Sequence, residues 1–328
     1  MMQNNEELAP PPGIWRTIAA GFDLTTKHLW LLILPILVDA FLWLGPRLSS
    51  RPIIEQMVGL LPQDAALQDI SEQMLALAPR TNLFTSLSVP FIGIPVLMVG
   101  ATPENTPLPV EITELANPLA WLGLFLLFLI LGVLITAVYY NLIAQVIRLQ
   151  EESALLSPLK LLGRMGKTWL QLLGLGIIIA IVSIIIYIPL LPITFVVALF
   201  SQTLATLVLL IGPVLILWLL IFTYFVPHSL SLFAQPLHLA MLTSVQLVRF
   251  YFTPMLMLLV TILIIRNVLG SLLILADDGS WLTGIGILGH AFVMTSLITA
   301  TFIFFRDRYV VLEEKLRMVS QLKGSPRL

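Results

Sequence analysis

Apolar residues run almost unbroken through six long stretches of this chain, and polar residues gather between them. The stretches are Leu29–Gly45, Leu119–Tyr140, Trp169–Leu190, Leu204–Val226, Pro254–Leu275 and Trp281–Phe305. Crossing the ~30 Å hydrocarbon core of a bilayer takes about 20 apolar residues in a helix. Backbone in lipid must satisfy its own hydrogen bonds, so each stretch is predicted to be a transmembrane helix. The first is short and is expected to begin in the interface around Lys27. Leu83–Met98 (LFTSLSVPFIGIPVLM) is apolar too, but it is short, and Pro90 and Pro95 break a helix. It reads as a loop packed on the outer ends of the spans, or as a shallow re-entrant segment.

Lys and Arg set the orientation. Of 17 in the chain, thirteen lie before span 1, between spans 2 and 3, between spans 4 and 5, or after span 6. With six spans these regions share one side. The other side holds Arg47, Arg51 and Arg80, all in the long connection Pro46–Asn117. Both termini therefore read as cytoplasmic. The chain divides into a cytoplasmic N-terminus and first elbow (1–28), a six-span membrane domain (29–305) and a cytoplasmic tail (306–328). The membrane domain carries an extracytoplasmic insertion at 46–117. The segment Met1–Gly13 is acidic and Pro-rich without a basic n-region, so a cleaved signal peptide is not expected.

Three segments share a layout: IWRTIAAGFDLTTKHLW (Ile14–Trp30), LSPLKLLGRMGKTW (Leu156–Trp169) and LHLAMLTSVQLVRFYF (Leu237–Phe252). Each is a modestly amphipathic stretch, then a cation, then aromatics, then a span. Lys27 with Trp30, Lys167 with Trp169, and Arg249 with Tyr251 are the expected interfacial anchors, since a cation meets phosphate and an aromatic ring suits the membrane boundary. The predicted fold is all-α, six transmembrane helices arranged as three repeats of elbow helix plus two spans.

In the insertion, Ile54, Met57, Val58 and Leu61 share one helical face, as do Leu67, Ile70, Met74 and Leu77, which predicts two short amphipathic helices. Ala101–Pro118 is Pro-rich and acidic and reads as an extended linker. The tail Arg306–Lys323 places Tyr309, Leu312, Leu316 and Val319 on one face and reads as an amphipathic helix along the membrane or against a cytoplasmic partner.

Composition agrees with a membrane protein: 58% hydrophobic and 11% charged residues, against about 25% charged in an average soluble chain. The net charge of -1 gives no reason to expect nucleic acid as a partner. Membrane lipids and other membrane proteins are the expected partners. Cysteine is absent, which excludes thiolate chemistry. YYNLIAQVIR (Tyr139–Arg148), LTSVQLVRFYF (Leu242–Phe252) and LPILVDAFLWLGPR (Leu34–Arg47) resemble a loose group of bacterial multi-pass proteins, among them the membrane domain that precedes some glycerophosphodiester phosphodiesterases. The resemblance covers most of the chain except Ser49–Ala116. It implies a six-helix membrane domain. The phosphodiesterase catalytic domain has no counterpart here, so that activity is not implied.

No catalytic, cofactor-binding or metal site emerges. GRMGKT (Gly163–Thr168) lacks the first P-loop glycine, Leu161 standing in its place, and a membrane span follows. Asp277-Asp278-Gly279 reads as a turn. Gly284, Gly286 and Gly289 read as packing positions. His228 and His238 lack the acidic or Cys neighbours of a zinc site. Charged or titratable residues inside spans carry more weight, because each costs at least ~2.5–3.5 kcal/mol in lipid. Asp39, Arg266 and His290 all fall in the outer half of their spans. They form either an outward-facing polar pocket for a proton or anion, or an Asp39–Arg266 pair that only fixes packing. The expectation is a non-enzymatic polytopic plasma-membrane protein, structural or accessory to transport or envelope maintenance. A transporter or permease subunit with an outer-leaflet cavity, and an enzyme acting on lipid headgroups, are the alternatives.

Overall fold

A computed structural model of the chain describes residues 11–60, 65–89, 92–99, 103, 105–150, 157–273 and 279–324. Twelve α-helices are formed among them. They are α1 Ile14–Lys27, α2 Ile33–Leu44, α3 Arg51–Gly59, α4 Ala65–Leu77, α5 Pro118–Gln150, α6 Pro158–Ala198, α7 Gln202–Leu209, α8 Ile211–Thr223, α9 Val226–Phe233, α10 Leu237–Phe250, α11 Phe252–Leu273 and α12 Leu282–Gly324. Five helical stretches are long and apolar enough to cross a membrane: α5, α6, the α7–α9 run, α11 and α12. A sixth is the pair Ile14–Lys27 and Leu29–Leu44, bent by 94°. The chain is thus an all-helical multi-pass membrane protein in its main body.

The sharp bend makes α1 an elbow ahead of the first span. A 3₁₀ turn at Leu29–Leu32 leads into α2. At 1.5 Å per residue, Leu29–Leu44 rises roughly 24 Å, short of the ~30 Å hydrocarbon thickness. The third elbow is likewise a separate helix, α10, which ends before Tyr251. The second elbow is not separate. Residues 158–198 form one continuous helix, so Lys167 and Trp169 lie inside it rather than at a bend. Gly166 is a poor helix former, but no proline interrupts the run at 165–170, and propagation through one glycine costs less than a new nucleus. The tail does not form its own helix either; α12 continues from the span through Gly324.

Span 4 is assembled from α7, α8 and α9. The break between α8 and α9 is closed by Ser244 of α10, whose hydroxyl accepts from Phe225 N (3.1 Å) and donates to Phe222 O (2.7 Å). Such a substitute is required wherever a helix breaks at membrane depth.

The insertion contains α3 and α4, packed on one another. The buried apolar residue of α3 is Ile53, while Met57 is 54% exposed, so the helix is rolled away from the predicted face. Leu61, and the side chains of Leu67 and Ile70, lie outside the described residues. The acidic linker ends in a strand: β1 Arg47–Ser49 pairs in parallel with β2 Ile112–Glu114. Trp121 Nε1 donates to Ser50 Oγ (2.8 Å), and Gln56 donates to Ala116 O (3.1 Å), which closes the insertion onto its own base. Asp277 and Asp278 lie outside the described residues; Gly279 has φ +85°, a turn conformation that glycine tolerates.

The chain divides into two compact units. One holds Ile18–Ile143 and Leu258–Thr301; the other holds Ala144–Met257, Phe302–Leu328 and the described part of Met1–Thr17.

Candidate functional site

In the first unit the outstanding feature is a carboxylate with no exposure at all. Asp39 sits on α2 between Val38 and Leu42, both buried. Among the six apolar stretches it is the one acidic residue. Its Oδ2 accepts from Leu97 N (3.0 Å) and its Oδ1 from Met98 N (2.9 Å). Hydrogen bonds to an ionised acceptor are about twice as strong as neutral ones. The carboxylate therefore satisfies two main-chain donors that no helix or sheet would otherwise take.

Those donors belong to the apolar segment between the spans. It opens with a 3₁₀ helix, Leu83–Leu87, and its described residues 92–99 are not helical. Ile94, Val96, Leu97 and Met98 are buried. Asn82 holds the front of the segment, its Oδ1 accepting from Leu48 N and Phe84 N (3.2 Å each). Ser88 Oγ donates to Ile94 O (2.9 Å).

The segment reaches well down the helices. Phe84 lies between Phe41 of α2 (5.1 Å) and Phe128 of α5 (4.8 Å). Gly132 of α5 approaches the Leu87 carbonyl so closely that an added Cβ would stand 2.6 Å from it. Gly132 is fourteen residues beyond Pro118, about 21 Å along the axis. The segment thus packs against α5 well beyond its first turns. Irregular backbone beside spans is tolerated when buried in protein, and residues 94–98 are buried.

The expected Asp39–Arg266 pair is not formed. Both carboxylate oxygens face main-chain N–H groups, and Arg266 is exposed on α11. A guanidinium on a long stem can keep its charge at the surface, so it needs no buried partner. His290 is 4% exposed on α12 and lies within electrostatic reach of Arg266. The three residues thus separate into an anchor, Asp39, and a neighbouring cation and imidazole. Leu97 and Met98 were missed in the sequence. The available signal was an apolar run with Gly93, Pro90 and Pro95, whose freed N–H groups require acceptors. At the outer end of α2, Arg47 is buried in β1, and loss of water pushes its guanidinium below the ordinary arginine range.

The interfacial anchors are mostly at the surface. Lys27 pairs with Asp23 (2.7 Å), Trp30 is 44% exposed, and Lys167 and Arg249 are exposed. Trp169 and Tyr251 are half-buried, and Tyr251 lies under the Arg308 guanidinium (5.9 Å). Of the span-6 glycines, a Cβ added at Gly284 would stand 3.5 Å from Trp43, and one at Gly289 would meet open space.

The second unit has its own polar centre, at the end of α9. Ala234 takes a left-handed conformation (φ 53°) and turns the chain toward α10. Gln235 follows as a hub. Its Oε1 accepts from Ser229 (2.7 Å) and Thr243 (3.2 Å), and its Nε2 donates to Tyr309 Oη (2.9 Å). Arg148 Nη2 donates to Ser231 O, and Arg164 Nη2 to Leu232 O, both at 2.7 Å. These are last-turn carbonyls with no intrahelical donor, and cations suit that position. His228 is packed among Phe225, Phe302 and Phe305, a core setting. Among the described residues no group of three His, Asp or Glu is placed to hold a metal ion.

No family model, no curated protein and no solved structure matches this chain.

Proposed function

We propose that the protein is a non-enzymatic, six-span plasma-membrane protein whose role is structural, or accessory to transport or envelope maintenance. The use of Asp39 carries this reading. An intramembrane carboxylate is a functional candidate by default, yet this one has both oxygens committed to Leu97 N and Met98 N. Its two oxygens serve to hold a re-entrant segment. The likeness to the membrane domain of glycerophosphodiester phosphodiesterases supports the architecture and brings no activity with it.

Reconstituted into liposomes, the protein is expected to pass protons and monovalent cations no faster than empty vesicles. A flux that disappears in Asp39→Asn, with the variant's thermal unfolding unchanged, would replace this reading with a transporter. Flux is followed with an entrapped pH dye under an imposed potential.

We also propose that both termini and the connections at Lys160 and Arg249 are cytoplasmic, with the insertion outside. The distribution of Lys and Arg supports this orientation. The chain has no cysteine, so single cysteines report cleanly. An impermeant maleimide on intact cells should label a cysteine at Glu114 and spare one at Lys160 or Lys315. All three positions are exposed. Labelling at both Glu114 and Lys160 would refute the six-span topology.

A further inference from the structure

We propose that Arg47, just past the end of α2, is the gripping residue of a binding site for a phosphate group, either on a lipid headgroup or free in solution. Arg47 is 4% exposed. Its Nε and Nη2 are enclosed and, among the described residues, meet no acceptor. These two nitrogens are neighbours on one edge of the guanidinium, the edge whose parallel N–H bonds take two oxygens of a single oxyanion. Arg is suited to that fork and Lys is not.

The surroundings are short of acceptors, not of donors. Asn82 Oδ1 accepts from Leu48 N, the residue after Arg47, and from Phe84 N. With two N–H groups on its oxygen the amide cannot be turned round, and its Nδ2 is buried without a partner. Trp43 Nε1, four residues ahead of Arg47, is buried without a partner too. Every one of these atoms carries hydrogen. Arg51 gives the contrast: it pairs with Glu55 (2.7 Å) and lies in the field of Glu114. Nothing comparable acts on Arg47, where burial alone disfavours the charged form.

A buried cation is costly unless an opposite charge meets it. Water offers an acceptor, but it brings hydrogens of its own and leaves the charge uncompensated. An oxyanion brings acceptors only. Position selects phosphate among the oxyanions. α2 ends at Leu44, three residues before Arg47, and Trp43 meets Trp281 edge to face at 5.7 Å. Trp gathers where spans reach the headgroups, and lipid phosphates lie at that level. Trp43, Arg47, Asn82 and Trp281 all belong to one compact unit. The inference goes beyond the role proposed above and needs neither that role nor the orientation. Glu104, Asp277 and Asp278 lie outside the described residues and are the internal rivals for the same charge.

The test uses the full chain in neutral detergent, washed free of lipid. Thermal unfolding and native mass spectrometry are run with inorganic phosphate, with chloride at matched ionic strength, with phosphatidylglycerol and with phosphatidylcholine. The wild type should respond to phosphate over chloride, or to phosphatidylglycerol over phosphatidylcholine. The first response alone assigns the site to free phosphate; the second, with or without the first, assigns it to the headgroup. Arg47→Met keeps the apolar stem and removes the charge. Without ligand it should melt no lower than the wild type, because an unpaired buried cation is gone. Its affinity for the responding ligand should fall roughly tenfold or more. Arg47→Lys keeps the charge without the fork and should lose nearly as much. Arg51→Gln should match the wild type. Absence of both responses in the wild type would overturn the proposal. So would an Arg47→Met that keeps the response, or one that melts well below the wild type without ligand, which would give the guanidinium a partner inside the protein. A response seen only after Glu104→Gln/Asp277→Asn/Asp278→Asn would overturn it in the same way.

Discussion

Asp39→Ala is expected to lose most of its folded yield. The substitution strands Leu97 N and Met98 N in a site with no exposure to water. An unsatisfied buried donor costs about 1–3 kcal/mol, and two are created at once. Whole-domain stabilities are only about 5–15 kcal/mol. Asp39→Asn keeps one acceptor oxygen and turns an amide toward the second N–H, so an intermediate loss is expected. Arg266→Met should change stability little, because Arg266 is exposed and does not touch the carboxylate. Asp39→Asn/Arg266→Met should then equal Asp39→Asn alone, since residues without a shared partner add independently. Thermal unfolding in detergent, with size-exclusion recovery, checks all four proteins. Rescue of Asp39→Asn by Arg266→Met would show a direct charge pair and remove the anchor argument.

Gly132→Ala and Gly21→Ala are the second pair of large losses. A Cβ at Gly132 would stand 2.6 Å from the Leu87 carbonyl oxygen and 2.9 Å from its carbon. A Cβ at Gly21 of α1 would collide with the Ser296 carbonyl and stand 2.8 Å from Ala300 Cβ on α12. In both places most of the obstruction is backbone, which cannot swing aside. Overpacking of this kind costs roughly 1–3 kcal/mol or more. Alanine at Gly123, Gly163 or Gly166 meets nothing within 4 Å. Those helical positions should gain up to about 1 kcal/mol from the better helix former. Gly284→Ala, with Trp43 at 3.5 Å, should be near neutral. The order of melting temperatures across this series is the measurement. Equal melting of Gly132→Ala and Gly123→Ala would mean that the segment around Leu87 does not lie against α5.

Leu119–Tyr140 and Pro254–Leu275 were legible because hydrocarbon thickness sets the length of a spanning helix, and length needs no knowledge of neighbours. The same argument found α6 and α12 but could not place their ends. Whether Lys167–Trp169 bends or continues depends on what packs beside it, and the sequence shows only that a cation and aromatics are there. The second elbow and the separate tail helix were lost for that reason. The strands β1 and β2 are three residues each, sixty-five positions apart at Arg47 and Ile112, and no local pattern announces such a pairing.

Asp39 shows the division most clearly. The sequence alone determined that it is the one carboxylate within the apolar stretches and that it needs a partner. Charge complementarity then suggested Arg266, because complementarity is all that a linear sequence displays. Its actual partners are main-chain N–H groups of Leu97 and Met98, and every residue but proline has one. Only the tertiary structure could decide which donors arrive unpaired at that depth. The irregular course of residues 92–99 frees them, and Asp39 of α2 accepts them. The sequence by itself thus settled the solvent and the kind of secondary structure, which follow from summed hydrophobicity. The partners of Asp39, Arg148 and Arg164 were settled by tertiary contact, because those partners are backbone groups whose availability exists only after folding.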